Sequence, residues 1–251
     1  MNNLKLLLPL LLLAGFATVF TSVYPSNLLS EKLGSNGKCV VAGSTIPEDL
    51  PLRVMQSSVK SDLPMLVFIT GDGGWNSFEE SLCQSLNQKG VPVVVLDSQK
   101  YFWKSKTPEV TTIDLLSIIK TYQNIWKRNG IVLAGFSFGA SILPFLVNRF
   151  PPEVKNLLVR SILISPNKTC DFEIHLSDML NLGTSKGNYD VIKEIQTNNF
   201  NKLTAVFGSD ESKEERQAFQ KIGLKVEILT GNHHFNSGFE ALANLIVAEM
   251  K

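Results

Sequence analysis

The chain has 251 residues, of which 44% are hydrophobic and 19% charged. This length and apolar content suffice for one large domain with a full hydrophobic core. The formal net charge of +1 gives no electrostatic case for nucleic-acid binding.

The N-terminus has the features of an export signal. Lys5 precedes a leucine-rich apolar run over residues 6–20, and no acidic residue occurs before Glu31. A basic start followed by an apolar core of this length is typical of a secretory signal peptide, and it is also close to the shortest membrane span. We therefore predict a signal peptide or an uncleaved signal anchor over residues 1–22. We also predict a tether over residues 23–50, of which 27–43 are rich in Ser, Gly and Asn.

Residues 51–251 alternate between apolar, strand-like runs and segments with helical spacing. Strands are predicted at 52–56 (an edge strand), 65–69, 91–96, 131–134, 161–165, 203–207 and 225–229. Helices are predicted at 78–89, from Pro108 to the Asn129-Gly130 stop, directly after Ser137, and at 239–250. This alternation predicts an α/β domain with a mostly parallel central sheet and helices on both faces. Ligands of such sheets bind at the carboxyl ends of the strands.

The strand at 131–134 leads directly into Gly135-Phe136-Ser137-Phe138-Gly139. A G-x-S-x-G pattern between a strand and a helix is the nucleophile elbow of α/β-hydrolases. Its glycines let the strand and the helix pass each other without a side-chain clash. We therefore predict the α/β-hydrolase fold, with Ser137 as nucleophile and the Phe138 N–H as one donor to the oxyanion.

A serine nucleophile needs a base and a group that orients it, which α/β-hydrolases supply in the chain order serine, acid, histidine. Asp210 follows the strand at 203–207 and is the predicted acid. Glu211 is the alternative, but we expect its side chain to point away from the strand end. His233 and His234 follow the last strand. The H-x-F pattern favours His233 as base, with His234 as the alternative.

The second oxyanion donor is expected from Gly71-Asp72-Gly73-Gly74-Trp75, the loop after the strand at 65–69. Glycines let backbone N–H groups approach a ligand closely, so the N–H of Asp72 or Gly73 is the candidate. A glycine-rich phosphate loop is the rival interpretation, but the Lys-Ser/Thr pair of a P-loop is absent.

No metal and no cofactor are implied by the sequence. The three cysteines, Cys39, Cys83 and Cys170, are too widely spaced for a zinc site. At most one pair of them can form a disulfide within the chain, and we expect buried or unpaired thiols.

Two further segments distinguish the chain from other hydrolases: Asp97-Ser98-Gln99-Lys100-Tyr101-Phe102-Trp103 and Asp171-Phe172-Glu173-Ile174-His175. Together with the elbow, the glycine-rich loop and the histidine loop, they closely resemble the bacterial virulence protein VirJ family, which includes the C-terminal domain of AcvB. The resemblance covers about residue 50 to the C-terminus and implies a periplasmic serine hydrolase of the α/β-hydrolase superfamily.

The resemblance also implies a substrate, because AcvB-type members of the family hydrolyse lysyl-phosphatidylglycerol. An exported serine esterase acting on an aminoacyl phospholipid at the membrane surface is therefore the first hypothesis. Family members have also been linked to type IV secretion and virulence. The alternatives are a periplasmic binding or assembly factor with secretion-system partners, and a general lipase, esterase or peptidase.

Candidate substrate-binding residues lie on the two distinguishing segments. Asp171 and Glu173 could hold an ammonium group, although a solvated loop is an equally good interpretation. The aromatic residues at 101–103 could face lipid or wall the pocket, or pack in the core. The predicted substrate-binding set is Trp75, Tyr101, Phe102, Trp103, Asp171, Glu173 and His175.

Overall fold

The structure is a computed structural model, which describes residues 47, 49–174, 187–197, 202–235 and 238–251. These residues belong to one unit, Cys39–Lys251, and the other unit, Met1–Lys38, lies outside the described residues. The predicted leader and almost all of the predicted tether lie outside them as well.

A seven-stranded sheet forms the centre of the described domain, with strand order β1-β3-β2-β4-β5-β8-β9. Its edge strand β1 is antiparallel to β3, and every other neighbouring pair is parallel. Its strands are β1 (Leu52–Met55), β2 (Met65–Ile69), β3 (Val93–Leu96), β4 (Ile131–Phe136), β5 (Leu158–Ile164), β8 (Leu203–Gly208) and β9 (Lys225–Leu229). Two short strands, β6 (Thr169–Cys170) and β7 (Tyr189–Asp190), form a separate antiparallel pair.

Helices cover both faces of the sheet, and the sheet separates two hydrophobic clusters. One cluster contains side chains of α3, α4, α6 and α7, and the other contains side chains of α1 and α8. The described helices are α1 (Ser77–Gln88), α2 (Ser98–Tyr101), α3 (Pro108–Trp126), α4 (Phe138–Asn148), α5 (Pro152–Leu157), α6 (Val191–Thr197), α7 (Lys213–Lys221) and α8 (Phe239–Ala248). The predicted fold class, a mostly parallel sheet between two helical layers, is confirmed.

Strand β2 shows why continuous apolar runs form the centre of the sheet. All five of its residues are fully buried. Met65, Val67 and Ile69 pack on one face, whereas Leu66 and Phe68 pack on the other. Successive side chains of a strand point to opposite faces, so a strand covered on both sides must be apolar throughout.

The bounds of several elements differ from the prediction. Helix α3 ends at Trp126, before the predicted Asn129-Gly130 stop, because Lys127 adopts a left-handed conformation (φ 52°). The short helices α2, α5, α6 and α7 were not predicted. Two of them begin at side-chain caps, which satisfy backbone N–H groups of the first turn: Asp97 caps α2 and Ser212 caps α7.

Two of the three cysteines, Cys83 and Cys170, are free and buried, and burial raises the pKa of both thiols. Cys39 lies outside the described residues. Within the part of the chain that the structure describes, no helix combines the length and the hydropathy that a membrane crossing requires. The same residues contain no group of three or more His, Cys, Asp or Glu side chains that could hold a metal ion.

Candidate active site

Ser137 lies in a sharp turn between β4 and α4, in the left-handed region with φ 50° and ψ −106°. Such a conformation costs a non-glycine residue of order 1–3 kcal/mol, so the surrounding structure must hold it. At the two flanking glycines, adjacent backbone of the same chain leaves no room for a side chain. A Cβ on Gly139 would lie 2.3 Å from the Ile69 carbonyl oxygen, and one on Gly135 would lie 2.4 Å from the Gly139 carbonyl. The local geometry is that of a nucleophile elbow.

A carboxylate and a histidine meet near the carboxyl ends of β8 and β9. Nδ1 of His233 lies 2.9 Å from Oε2 of Glu211. The prediction that Asp210 would hold the histidine is therefore wrong in this structure, as is the expectation that Glu211 points away. Glu211, the alternative carboxylate in the sequence prediction, is the one that contacts His233.

The turn after β8 explains why Glu211, and not Asp210, reaches the histidine. The Glu211 N–H donates to the Gly208 carbonyl (3.2 Å), while the Gly208 N–H donates to Oε1 of Glu211 (2.6 Å). These two bonds fold the residue 211 side chain back over the strand end. The side chain of Asp210 is exposed and accepts a hydrogen bond from Ser209 Oγ (2.8 Å).

Ser165, a residue that sequence analysis did not select, also holds the Glu211 carboxylate. Its hydroxyl donates to Oε1 of Glu211 (2.8 Å), and its backbone is left-handed with φ 51°. Burial works against ionisation of Glu211, but the hydrogen bonds from His233, Gly208 and Ser165 outweigh it and lower the pKa of the carboxyl. A polar residue directly after the apolar strand β5 was the available signal for Ser165.

The two histidines differ in their partners. Both rings pack against Phe136, with centroid distances of 5.1 Å for His233 and 5.4 Å for His234. Among the described residues, only the ring of His233 contacts a carboxylate. The exposed His234 packs edge-on against Phe78 (6.2 Å), and burial of part of its ring and the neighbouring His233 lower its pKa. No hydrogen bond joins Ser137 Oγ to either ring in the described residues, a separation common in unliganded catalytic sites.

The glycine-rich loop lies against the nucleophile, as a source of oxyanion donors must. A Cβ on Gly71 would lie 3.7 Å from Cβ of Ser137. The Gly73 N–H already donates to Oδ1 of Asp72 (3.0 Å). The Asp72 N–H makes no hydrogen bond within the described residues. Of the two predicted loop donors, the geometry therefore favours the Asp72 N–H, together with the Phe138 N–H at the start of α4.

Glu79, on the first turn of α1 behind this loop, was not selected from the sequence. Its side chain is fully buried, and neither carboxyl oxygen has a hydrogen-bond partner in the described residues. Burial raises the pKa of Glu79 to about 7, although the nearby backbone N–H groups of Glu79 itself, Gly71 and Asn76, which fall short of hydrogen-bond geometry, offset part of the rise. The buried carboxylate of Asp97 raises it further.

Replacing Glu79 with glutamine is expected to stabilise the protein at alkaline pH. In the unfolded chain the carboxyl ionises near its ordinary pKa of 4.5, whereas in the folded protein it ionises near 7. Between these values only the unfolded state loses its proton, so the folding stability of the parent protein falls as pH rises, and it stays lower above pH 7. The loss is about 3 kcal/mol, and Glu79→Gln removes it.

Chemical denaturation of parent and variant at about pH 5 and pH 8 tests this linkage. The exposed neighbour Glu80 provides the control, because Glu80→Gln should change stability by similar small amounts at both pH values. An equal effect of Glu79→Gln at the two pH values would contradict the raised pKa.

The aromatic candidates fall into different environments. Tyr101 and Phe102 are buried in the core, where Tyr101 donates to Oδ2 of Asp114 (2.5 Å). Phe102 contacts the ring of Phe138, the residue after the elbow serine (4.9 Å between centroids). Trp103 is 54% exposed. The half-buried Trp75 has the Arg53 guanidinium 5.0 Å from its ring centroid.

The acidic candidates on the second distinguishing segment also differ. Oδ1 of Asp171 accepts hydrogen bonds from the backbone and the side chain of Asn188 (3.0 and 2.8 Å). The half-buried Glu173 has no hydrogen-bond or ion-pair partner among the described residues. Its neighbour Ile174 is bound through its N–H to the Phe102 carbonyl (3.0 Å). His175 lies outside the described residues.

Comparisons with known structures define the class of fold. A lipase-esterase related protein from Clostridium acetobutylicum aligns with a TM-score of 0.57 and 15% identity, covering 78% of this chain and 98% of its own. Est1E from Butyrivibrio proteoclasticus aligns with a TM-score of 0.56 and 14% identity, covering 81% and 95%. The type II thioesterase BorB of the borrelidin biosynthetic cluster aligns with a TM-score of 0.53 and 12% identity, covering 80% of this chain and 97% of its own. The fold is that of the α/β-hydrolases, as predicted.

The family match is more specific than the fold. Residues 63–251 match the family described as bacterial virulence protein (VirJ). The chain belongs to the VirJ family. No curated protein matches the sequence.

Proposed function

We propose that this protein is a serine hydrolase that cleaves esters through an acyl-enzyme. The observation that carries the proposal is the contact between His233 and Glu211 on the same sheet edge as the strained turn at Ser137. An elbow serine, a histidine and a carboxylate that orients it are the three parts of a serine-hydrolase triad. The fold shared with esterases, lipases and thioesterases is consistent with this chemistry.

In the proposed mechanism, Ser137 Oγ attacks the ester carbonyl while Nε2 of His233 takes the hydroxyl proton. Glu211 accepts the Nδ1–H bond, which fixes the imidazole tautomer and stabilises the imidazolium. The N–H groups of Phe138 and Asp72 bind the oxyanion. The alcohol then leaves with the proton from His233, and water hydrolyses the acyl-enzyme by the same steps. None of these steps requires a cofactor.

The proposed substrate is an aminoacyl phospholipid, lysyl-phosphatidylglycerol in the first instance, and the proposed location is the periplasm. The resemblance to AcvB-type proteins and the predicted export signal support these choices. The carboxylate of Glu173 also supports an amine-bearing substrate. This carboxylate has no hydrogen-bond or ion-pair partner among the described residues. The N–H of the next residue, Ile174, donates to the Phe102 carbonyl, and the Phe102 ring contacts Phe138, the residue after Ser137. Asp171 is less suited, because Asn188 already occupies Oδ1.

Product analysis tests the substrate. Purified protein is incubated with lysyl-phosphatidylglycerol and, separately, with phosphatidylglycerol that carries only fatty-acyl esters. Release of free lysine from the first lipid, without release of fatty acid from either, is the expected result. Release of fatty acid from both would favour a general lipase. No hydrolysis of these lipids or of a short-chain ester would favour the binding or assembly role.

The identity of the acid in the proposed triad can be tested by replacing the two adjacent carboxylates one at a time. Glu211→Gln should lower kcat for a short-chain ester by roughly three to four orders of magnitude, because the amide no longer holds the productive histidine tautomer. Asp210→Asn, a matched change on an exposed side chain, should lower it less than about tenfold. The opposite ranking would restore Asp210 as the acid.

A further inference from the structure

An exposed surface beside the site combines apolar and basic side chains. We call it the α3 patch and define it as Trp103, Lys104, Lys106, Val110 and Ile113. Its three apolar side chains are 54%, 44% and 54% exposed for Trp103, Val110 and Ile113. Val110 and Ile113 are one turn apart on α3, and Trp103 lies in the loop that leads into this helix.

Contacts connect the α3 patch to the nucleophile. Phe102, the residue before Trp103, packs against Phe138, the residue after Ser137. The start of α3 is held to the same segment, because Tyr101 donates to Asp114, next to Ile113. The patch therefore lies on the side of the domain that carries the candidate active site.

The uncompensated charge of the patch is positive. Lys104 and Lys106 have no ion-pair partner in the described residues, and the ammonium group of Lys106 lies 4.8 Å from the Tyr101 ring centroid. Two acidic groups on α3 are already occupied. Glu109 pairs with Arg149 (2.9 Å), and Asp114 accepts the Tyr101 hydroxyl.

We propose that the α3 patch docks the protein on an anionic phospholipid bilayer and presents the Ser137 side of the domain to it. The inference rests on the proposed function, since a hydrolase of a membrane lipid must meet the bilayer with its active-site side. Tryptophan and aliphatic side chains between lysines are the composition of interfacial membrane-binding surfaces. The lysines add attraction to anionic headgroups. A symmetric contact between two copies of the chain would instead bring like charges together.

Vesicle binding tests the proposal without requiring turnover. The Ser137→Ala protein is sedimented with vesicles of phosphatidylcholine alone or of phosphatidylcholine and phosphatidylglycerol in equal parts. We expect binding to the anionic vesicles that weakens with added salt. Trp103→Ser combined with Ile113→Ser should weaken it roughly tenfold or more. Lys104→Gln combined with Lys106→Gln should weaken it by a similar factor.

The control is Ile125→Ser, which changes a 48% exposed apolar side chain at the other end of α3 and should leave vesicle binding unchanged. Absence of binding to anionic vesicles, or an equal loss in the control, would overturn the proposal. Equal binding to neutral vesicles would overturn the electrostatic part of the proposal. If the patch instead mediated dimerisation, or bound an acidic peptide but no vesicles, the proposed lipid partner would be wrong. If the protein hydrolyses lysyl esters but does not bind vesicles, only the proposed docking surface is refuted. If it binds vesicles but hydrolyses no ester, only the proposed function is refuted.

Discussion

Ser137→Ala is expected to abolish ester hydrolysis while the domain remains folded. Removing the nucleophile closes the covalent route, so kcat for a short-chain ester should fall by roughly four to six orders of magnitude. Labelling by a fluorophosphonate should disappear in parallel, because that reagent requires an activated serine. The thermal midpoint should not decrease, since the change removes one hydroxyl and Ser137 Oγ makes no hydrogen bond in the described residues.

A matched control for this variant is Ser81→Ala. Among the described residues, the Ser81 hydroxyl donates only to the Ser77 carbonyl within α1 (2.8 Å). Its loss should leave both turnover and labelling intact. A folded Ser137→Ala protein with near-normal turnover would remove Ser137 from the mechanism.

The two adjacent histidines should respond very differently to substitution. His233→Ala is expected to lower kcat by at least three orders of magnitude, because the residues of a triad act as a unit and this ring contacts Glu211. His234→Ala removes an exposed ring that contacts no carboxylate among the described residues, so its effect should stay below about tenfold. Turnover of a short-chain ester and the thermal midpoint are measured for both variants.

The pair also contains its own control, because each variant deletes an imidazole from the same loop. Inactivation by His234→Ala alone would shift the catalytic register by one residue. Activity in both variants would refute the triad.

Much of the fold could be predicted because burial on both faces requires a simple pattern. Strand β2 has this pattern, and its predicted bounds, 65–69, match the structure. The elbow was recognisable for a steric reason: Gly135 and Gly139 lie where any side chain would meet backbone within 2.4 Å. Residues dictated by such local constraints can be identified without knowing the rest of the molecule.

The carboxylate that contacts His233 could not be chosen from the sequence, because the choice depends on how a four-residue turn closes. Asp210 and Glu211 are adjacent and chemically similar, and the bonds between Gly208 and Glu211 decide which carboxylate turns inward. The sequence also did not indicate which individual aromatic side chains are buried. Phe102 is fully buried whereas the next residue, Trp103, is 54% exposed, although both belong to one aromatic run. These outcomes depend on contacts between segments far apart in the chain.

The two buried thiols have a practical consequence for producing the protein. Cys83 and Cys170 are free, so neither supplies a covalent cross-link to the described domain. Its two helical layers and central sheet hold together through packing and hydrogen bonds, without an oxidation step during folding. The domain should therefore mature equally well in a reducing cytoplasm and in an oxidising compartment. Expression without the predicted leader is a suitable source of material for the assays above.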